Sequence, residues 1–220
     1  MPPRVPVLDL HRLESEPDSL VSDAGAAYRE FGFCGFRNHG IPDALIEQAY
    51  GVFRQFFALP ADVKAAYVSR LGGQRGYTPF GVEQARDHDI PDLKEFWHVG
   101  RDVRGENPWP GILEPNEWPA EIPDFRDKAL ALYEQLDALG KRILGIIAQS
   151  LGLQADWFND KVGLGNSILR AIHYPPLPAE KTPAVRAAQH EDINLITLLI
   201  GSDEEGLQIL SREGQWVPVT

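Results

Sequence analysis

The chain has 220 residues, 43% hydrophobic and 10% aromatic, enough for one globular core with a flanking helical layer. Lys and Arg number 21 against 32 Asp and Glu, a formal net charge of −11 with no basic run, which argues against nucleic acid and anionic membrane as partners. One cysteine, Cys34, excludes an internal disulfide, and no apolar run approaches the roughly 20 residues that cross a bilayer. The N-terminal residues lack the apolar core of a signal peptide, so the expected setting is cytoplasmic and reducing.

Val5 to Leu10 is a short strand candidate. Asp18 to Phe31 carries Leu20, Val21, Ala24, Ala27, Tyr28 and Phe31 at helical spacing, and Gly32 closes it. Phe33 to Phe36 predicts a strand holding Cys34 as a small core residue. Asn38-His39-Gly40 is a turn. Pro42 opens a helix with Leu45, Ile46, Ala49, Val52, Phe53, Phe56 and Phe57 on its apolar face; a shorter one follows Pro60 through Tyr67. Residues 70–92 are loop-like, and Leu93 to Val99 is a strand. Five prolines between residues 105 and 123 make an irregular connection. Asp124 to Leu151 is the longest helix, with one apolar stripe from Phe125 to Ile147. After Gly163 the texture turns β. Ser167–Tyr174, Ala184–Gln189, Ile193–Ile200, Leu207–Leu210 and Gln215–Val219 are short strands with turn residues between them, the spacing of a barrel or sandwich.

His190-Glu191-Asp192 precedes one of those strands. A His and an Asp two positions apart on a strand share a face, and together supply two of the three protein ligands of a non-haem Fe(II) centre. The alternative is a strand-end histidine hydrogen-bonded to a nearby acid. Arg170 and Tyr174 also share a face, and a guanidinium with a phenol suits a carboxylate. The alternative has Arg170 paired to a surface acid and Tyr174 packed before Pro175-Pro176. His173 should face away from Tyr174, while His98 could line a pocket. His39 reads as structural, and His11 and His88 as solvated. The lid candidates are Leu71–Asp92 and the segment around Trp109. No Cys-x-x-Cys, Gly-x-Gly-x-x-Gly, P-loop or Gly-x-Ser-x-Gly element is present.

Several blocks, in order, carry a resemblance. They are Val5–Leu10, Gly32-Phe33-Cys34-Gly35-Phe36 with Asn38-His39-Gly40-Ile41, Phe56-Phe57-Ala58-Leu59-Pro60 with Lys64, Gly76-Tyr77, and Asp92-Leu93-Lys94-Glu95. Leu169-Arg170 with Tyr174-Pro175-Pro176, His190-Glu191-Asp192 with Leu195-Ile196-Thr197, Gly206-Leu207-Gln208 and Trp216–Val219 follow. From about Val5 to Val219 the sequence resembles the isopenicillin N synthase-like family of Fe(II)- and 2-oxoglutarate-dependent oxygenases. The resemblance implies a mainly β fold, a double-stranded β-helix (jelly roll) incomplete at the C-terminus, with an N-terminal layer of helices. Residues 1–120 would form the N-terminal helical and strand region. Residues 121–220 would form the support helix and the first part of the jelly-roll core. It implies Fe(II) held by His190 and Asp192, with 2-oxoglutarate and dioxygen as co-substrates of a dioxygenase acting on a small organic molecule. Tyr174 would help bind a carboxylate of the co-substrate or substrate, with Arg170 on the same pocket-facing strand. The family's third ligand, a downstream histidine, and its Arg-x-Ser clasp do not occur by Thr220. The expectation is therefore an incomplete stretch of a longer enzyme. The alternatives are an inactive binding relative and a 2-oxoglutarate-independent oxidase of the isopenicillin N synthase type.

Overall fold

A computed structural model describes residues 4–69, 74–84, 90–103, 106–107, 109–177, 182–201 and 206–219. In chain order the elements are β1 (Val7–Asp9), α1 (Arg12–Ser15), α2 (Pro17–Phe31), β2 (Gly35–Arg37), α3 (Asp43–Phe57), α4 (Ala61–Ala65), β3 (Gly76–Thr78) and β4 (Glu95–Gly100). Then come α5 (Phe125–Ser150), α6 (Asn159–Val162), β5 (Ile168–His173), β6 (Gln208–Leu210) and β7 (Trp216–Pro218). They fall into two compact units. One holds residues 1–40, 138–164 and 197–220; the other holds 41–137 and 165–196.

In the first unit β1 and β2 pair in parallel, Leu8 opposite Phe36. Pro17 starts α2, where its fixed φ suits the first turn and its missing N–H is not needed. Leu20, Ala24 and Ala27 form the buried stripe of α2, and Ile143, Ile146 and Ala148 that of this half of α5. Gly25 lets α2 approach α5, because a Cβ there would lie 2.9 Å from the Ser150 Cβ. Gly32 ends α2 at φ 69°, a left-handed conformation in which its N–H reaches the Tyr28 carbonyl. Asn38, at φ 55°, turns the chain after β2 and donates its amide to both Asp9 carboxylate oxygens at 3.0 and 2.9 Å. The β6–β7 hairpin buries Ile209 opposite Val217.

In the second unit β3, β4 and β5 form an antiparallel sheet in that order. Alternation along the strands gives it two faces. Tyr77, Glu95, Trp97, Val99, Ala171 and His173 share one; Thr78, Phe96, His98, Arg170 and Ile172 share the other. The first face packs on α3 and the start of α5. Ala49, Val52, Phe53 and Phe56 are the buried stripe of α3. The Phe56 ring meets Trp97 edge-on at 4.5 Å, and Trp97 meets Phe125 at 5.1 Å. Every residue of β4 is buried, as befits a middle strand covered on both faces.

The structure departs from several of these expectations. Residues 184–189 and 193–200 are not strands. Pairing needs a neighbour, and no described strand lies beside them; Ile193 is 98% exposed, and Leu195 and Leu199 are also open. One tie, Leu93 N–H to the Val185 carbonyl at 2.8 Å, holds the first stretch to the approach to β4. Among the described residues the strands form sheets of two, three and two. Conversely, residues 76–78, read as loop, are strand β3. Three residues are too few to show a period, but Tyr77 is buried opposite Trp97. Cys34 precedes β2, half-buried, its thiol pushed up to about 11 by burial. His88 and parts of the Leu71–Asp92 lid candidate lie outside the described residues.

Candidate active site

His190 and Asp192 stand side by side without a strand to hold them. His190 Nε2 lies 3.6 Å from Asp192 Oδ1, and both side chains are about half exposed, 50% and 46%. His190 Nδ1 is 2.8 Å from the Ala188 carbonyl oxygen. A carbonyl can only accept, so Nδ1 donates there, and Nε2 is the ring nitrogen left facing Asp192. That donor set suits a borderline divalent cation such as Fe(II): one neutral imidazole nitrogen and one carboxylate. The separation also suits it, since two adjacent ligands at roughly 2.1 Å from one ion lie about 3 Å apart. Among the described residues no third His, Cys, Asp or Glu joins them in a metal-binding group.

The segment carrying the pair is anchored at Asp92, which is 2% exposed. Asp92 Oδ1 accepts the Ala188 N–H at 3.0 Å, and Oδ2 accepts from Lys94 Nζ at 2.9 Å. Lys94 is itself buried and also pairs with Glu83 Oε2 at 2.8 Å. Burial opposes its charge, but the Glu83 and Asp92 carboxylates prevail and hold its pKa above the ordinary lysine value.

The same Glu83 oxygen lies 3.2 Å from Arg170 Nη1. Arg170 donates Nε–H to His98 Nε2 at 2.7 Å and stacks over Phe96, 4.4 Å from the ring centre. Arg170 is thus paired with an acid, as one of its two sequence readings had it, and it lies on the sheet face shared with His98. Tyr174 follows β5 and is partly exposed. Burial raises its pKa, with Lys94 and Arg170 opposing and Asp92 and Glu83 reinforcing, so the phenol stays a proton donor. His173 faces the other way, as its alternation predicts, and its Nδ1–H meets Glu95 Oε1 at 2.8 Å.

Glu95 is the centre of a second polar cluster, on the helix-packed face. Lys64 Nζ donates to its Oε2 at 2.8 Å, and the Tyr77 hydroxyl donates to the same oxygen. Burial alone would raise the Glu95 pKa; the bonds from Lys64, Tyr77 and His173 outweigh it and lower it. The sequence block Asp92-Leu93-Lys94-Glu95 carries part of the family resemblance, but sequence reasoning assigns none of these residues a role. The available signal is the alternation, which sends Asp92 and Lys94 to one side and Glu95 to the other.

Residues 5–121 match the family described as non-haem dioxygenase in morphine synthesis N-terminal, and residues 165–220 match the 2OG-Fe(II) oxygenase superfamily. The chain belongs to the 2OG-Fe(II) oxygenase superfamily. A 2-oxoglutarate-Fe(II) type oxidoreductase of Emericella nidulans is 31% identical, over 91% of this chain and 60% of its own length. The 2'-deoxymugineic-acid 2'-dioxygenase of Hordeum vulgare is 32% identical over 98% of this chain and 60% of its own. Among solved structures, a 2OG-Fe(II) oxygenase family protein from Caulobacter crescentus is similar at TM-score 0.87 and 41% identity, covering 97% of this chain and 69% of that one. A full-length Neurospora crassa protein, solved in complex with alpha-KG and thymine, is similar at TM-score 0.83 and 27% identity, covering 97% and 70%. This oxygenase chain therefore spans 60% of the length of these two curated relatives. Among the described residues no helix is long and apolar enough to cross a membrane.

Proposed function

We propose that this chain is the helical layer and the first part of the jelly-roll core of a non-haem Fe(II) dioxygenase that couples 2-oxoglutarate decarboxylation to oxidation of a small organic substrate. The carrying observation is the placement of His190 Nε2 3.6 Å from Asp192 Oδ1, with His190 Nδ1 committed to the Ala188 carbonyl. Residues 1–120 are the N-terminal helical and strand region in this reading, and 121–220 the support helix and the start of the core. The two family matches, at 5–121 and 165–220, support that division. The lone Cys34 suits a reducing, cytoplasmic setting.

His190 and Asp192 would hold Fe(II), and the metal when bound would supply the redox chemistry that consumes dioxygen and 2-oxoglutarate. The remaining work belongs to this chain's own side chains. His190 donates from Nδ1 to the Ala188 carbonyl, which leaves Nε2 as the nitrogen a metal would take. Asp192 supplies negative charge. Tyr174, protonated, donates to a carboxylate of the co-substrate or substrate, and Arg170 supplies the positive charge beside it. The buried Phe96, on the same face, gives Arg170 an apolar ring to stack on. The Neurospora crassa neighbour holds thymine together with alpha-KG, which supports a small molecule as the substrate class here.

The test is succinate formation from 2-oxoglutarate by the intact protein, with Fe(II) supplied, across a panel of small organic acids and heterocycles. Succinate release that depends on Fe(II) and on one class of substrate supports the reading. Substrate oxidation without succinate would replace it with a 2-oxoglutarate-independent oxidase.

A further inference from the structure

We propose that Asp92 is the positioning residue of the metal centre: it holds the backbone of Ala188, and Ala188 in turn holds the imidazole of His190. This rests on reading His190 and Asp192 as metal ligands.

Two bonds on one residue carry the inference. Ala188 N–H is donated to Asp92 Oδ1 at 3.0 Å, and the Ala188 carbonyl accepts from His190 Nδ1 at 2.8 Å. Ala188 is buried, while His190 two residues later is half exposed. The stretch around His190 has no strand partner among the described residues, so its backbone takes no order from a ladder. Order comes instead from individual ties: the Leu93 N–H reaches the Val185 carbonyl at 2.8 Å, and the buried Asp92 carboxylate reaches Ala188, two residues before His190. Asp92 is fixed in turn by Lys94 at 2.9 Å, and its own N–H is held by the Glu83 carbonyl at 2.9 Å. The chain thus runs from the edge of a packed sheet, through one carboxylate and one peptide residue, to the ring nitrogen that sets the tautomer. Groups that orient a ligating histidine typically change metal affinity about 10–100-fold when removed.

The charge of Asp92 and its role as acceptor must be separated. Asp92→Asn with Lys94→Met keeps an oxygen for the Ala188 N–H in a neutral pair. Asp92→Leu with Lys94→Met has a similar shape and the same charge but no acceptor. Anaerobic Co(II) titration, read by the visible absorption of the bound ion, compares the two in the intact protein, with His190→Ala as control. The expected result is Co(II) affinity within about threefold of wild type for the Asn pair, and about tenfold or more weaker for the Leu pair. Equal affinities for the two pairs would overturn the positioning role. If His190→Ala binds Co(II) as wild type does, the metal reading itself fails, whatever the pairs show. Amide exchange gives a second readout on the metal-free wild-type protein, and needs no variant to fold. The Ala188 N–H is expected to be protected relative to the amides of Ile193 and Leu195. Equal exchange at all three would also overturn the proposal.

Discussion

Arg170 donates its Nε–H to His98 Nε2 across the β4–β5 pair, at 2.7 Å. The histidine accepts there, which leaves its own ring proton on Nδ1 and directs the guanidinium along the sheet face. His98 is buried and Arg170 is partly open, so the fixed partner orients the one that can meet a ligand. Replacing His98 with Leu removes the acceptor and loosens Arg170, which then rests on Glu83 and Phe96 alone. The expected outcome is a rise in KM for a carboxylate substrate of about fivefold, the equivalent of the ~1 kcal/mol worth of one hydrogen bond. His98→Gln, which retains an acceptor, should recover part of it. Steady-state kinetics on the two variants check this; an unchanged KM in both would leave Arg170 as a surface ion pair.

Glu83 places one carboxylate oxygen between Arg170 and Lys94, at 3.2 and 2.8 Å. A ligand carboxylate at Arg170 must share that cation with Glu83. Glu83→Gln removes the competing charge. Affinity for an anionic ligand should rise about twofold to fivefold, about the effect of one screened charge pair near a protein surface. Calorimetric titration with 2-oxoglutarate and with the substrate acid separately measures it. A fall in affinity for both would show that Glu83 holds Arg170 in place and does not compete.

The Glu95 cluster sets an acid limit on stability. Its carboxyl is lowered from the ordinary 4.5 despite burial, because Lys64, Tyr77 and His173 all bond the charged form. A depressed carboxyl stabilises the fold fully above its unfolded value, and the contribution fades as pH falls through the lower folded value. Glu95→Gln breaks a buried ion pair with Lys64 and should cost about 3–5 kcal/mol near neutral pH. The difference in Tm between wild type and variant should be constant above about pH 5 and shrink below about pH 4.5. A gap that widens on acidification would contradict the assignment.

Phe56 is the hub of the aromatic core, in edge contact with Trp97, Tyr77 and Phe125. Phe56→Ala should cost about 3–5 kcal/mol in denaturant unfolding, since the ring is fully buried and its neighbours close the space only in part. A loss under about 1 kcal/mol would mean that the helix–sheet interface repacks freely.

The helices were legible because three- and four-residue spacing states which side is buried without any knowledge of the partner. Leu20, Ala24 and Ala27 of α2, and Phe53 and Phe56 of α3, are such cases. Strands β4 and β5 were legible by alternation, and so was the division between His173 and Tyr174. Residues 193–200 depart from the sequence expectation for a related reason. Their composition says strand, but a strand is made by its neighbour, and composition does not name one. The tie from Asp92 to Ala188, which carries the proposed positioning of His190, spans about a hundred residues of chain. Such partners are set by folding, and no local pattern marks them. Asp92, Lys94 and Glu83 carry no such signal, because each looks like an ordinary surface residue until folding brings them together beside His98, which the sequence alone marks as able to line a pocket.

The most direct measurement is anaerobic equilibrium dialysis of Fe(II) against the intact wild-type protein, His190→Ala and Asp192→Ala. One iron per chain in the wild type, and loss of it in both variants, is the predicted result. The wild-type stoichiometry persisting in either variant would contradict the iron centre placed here.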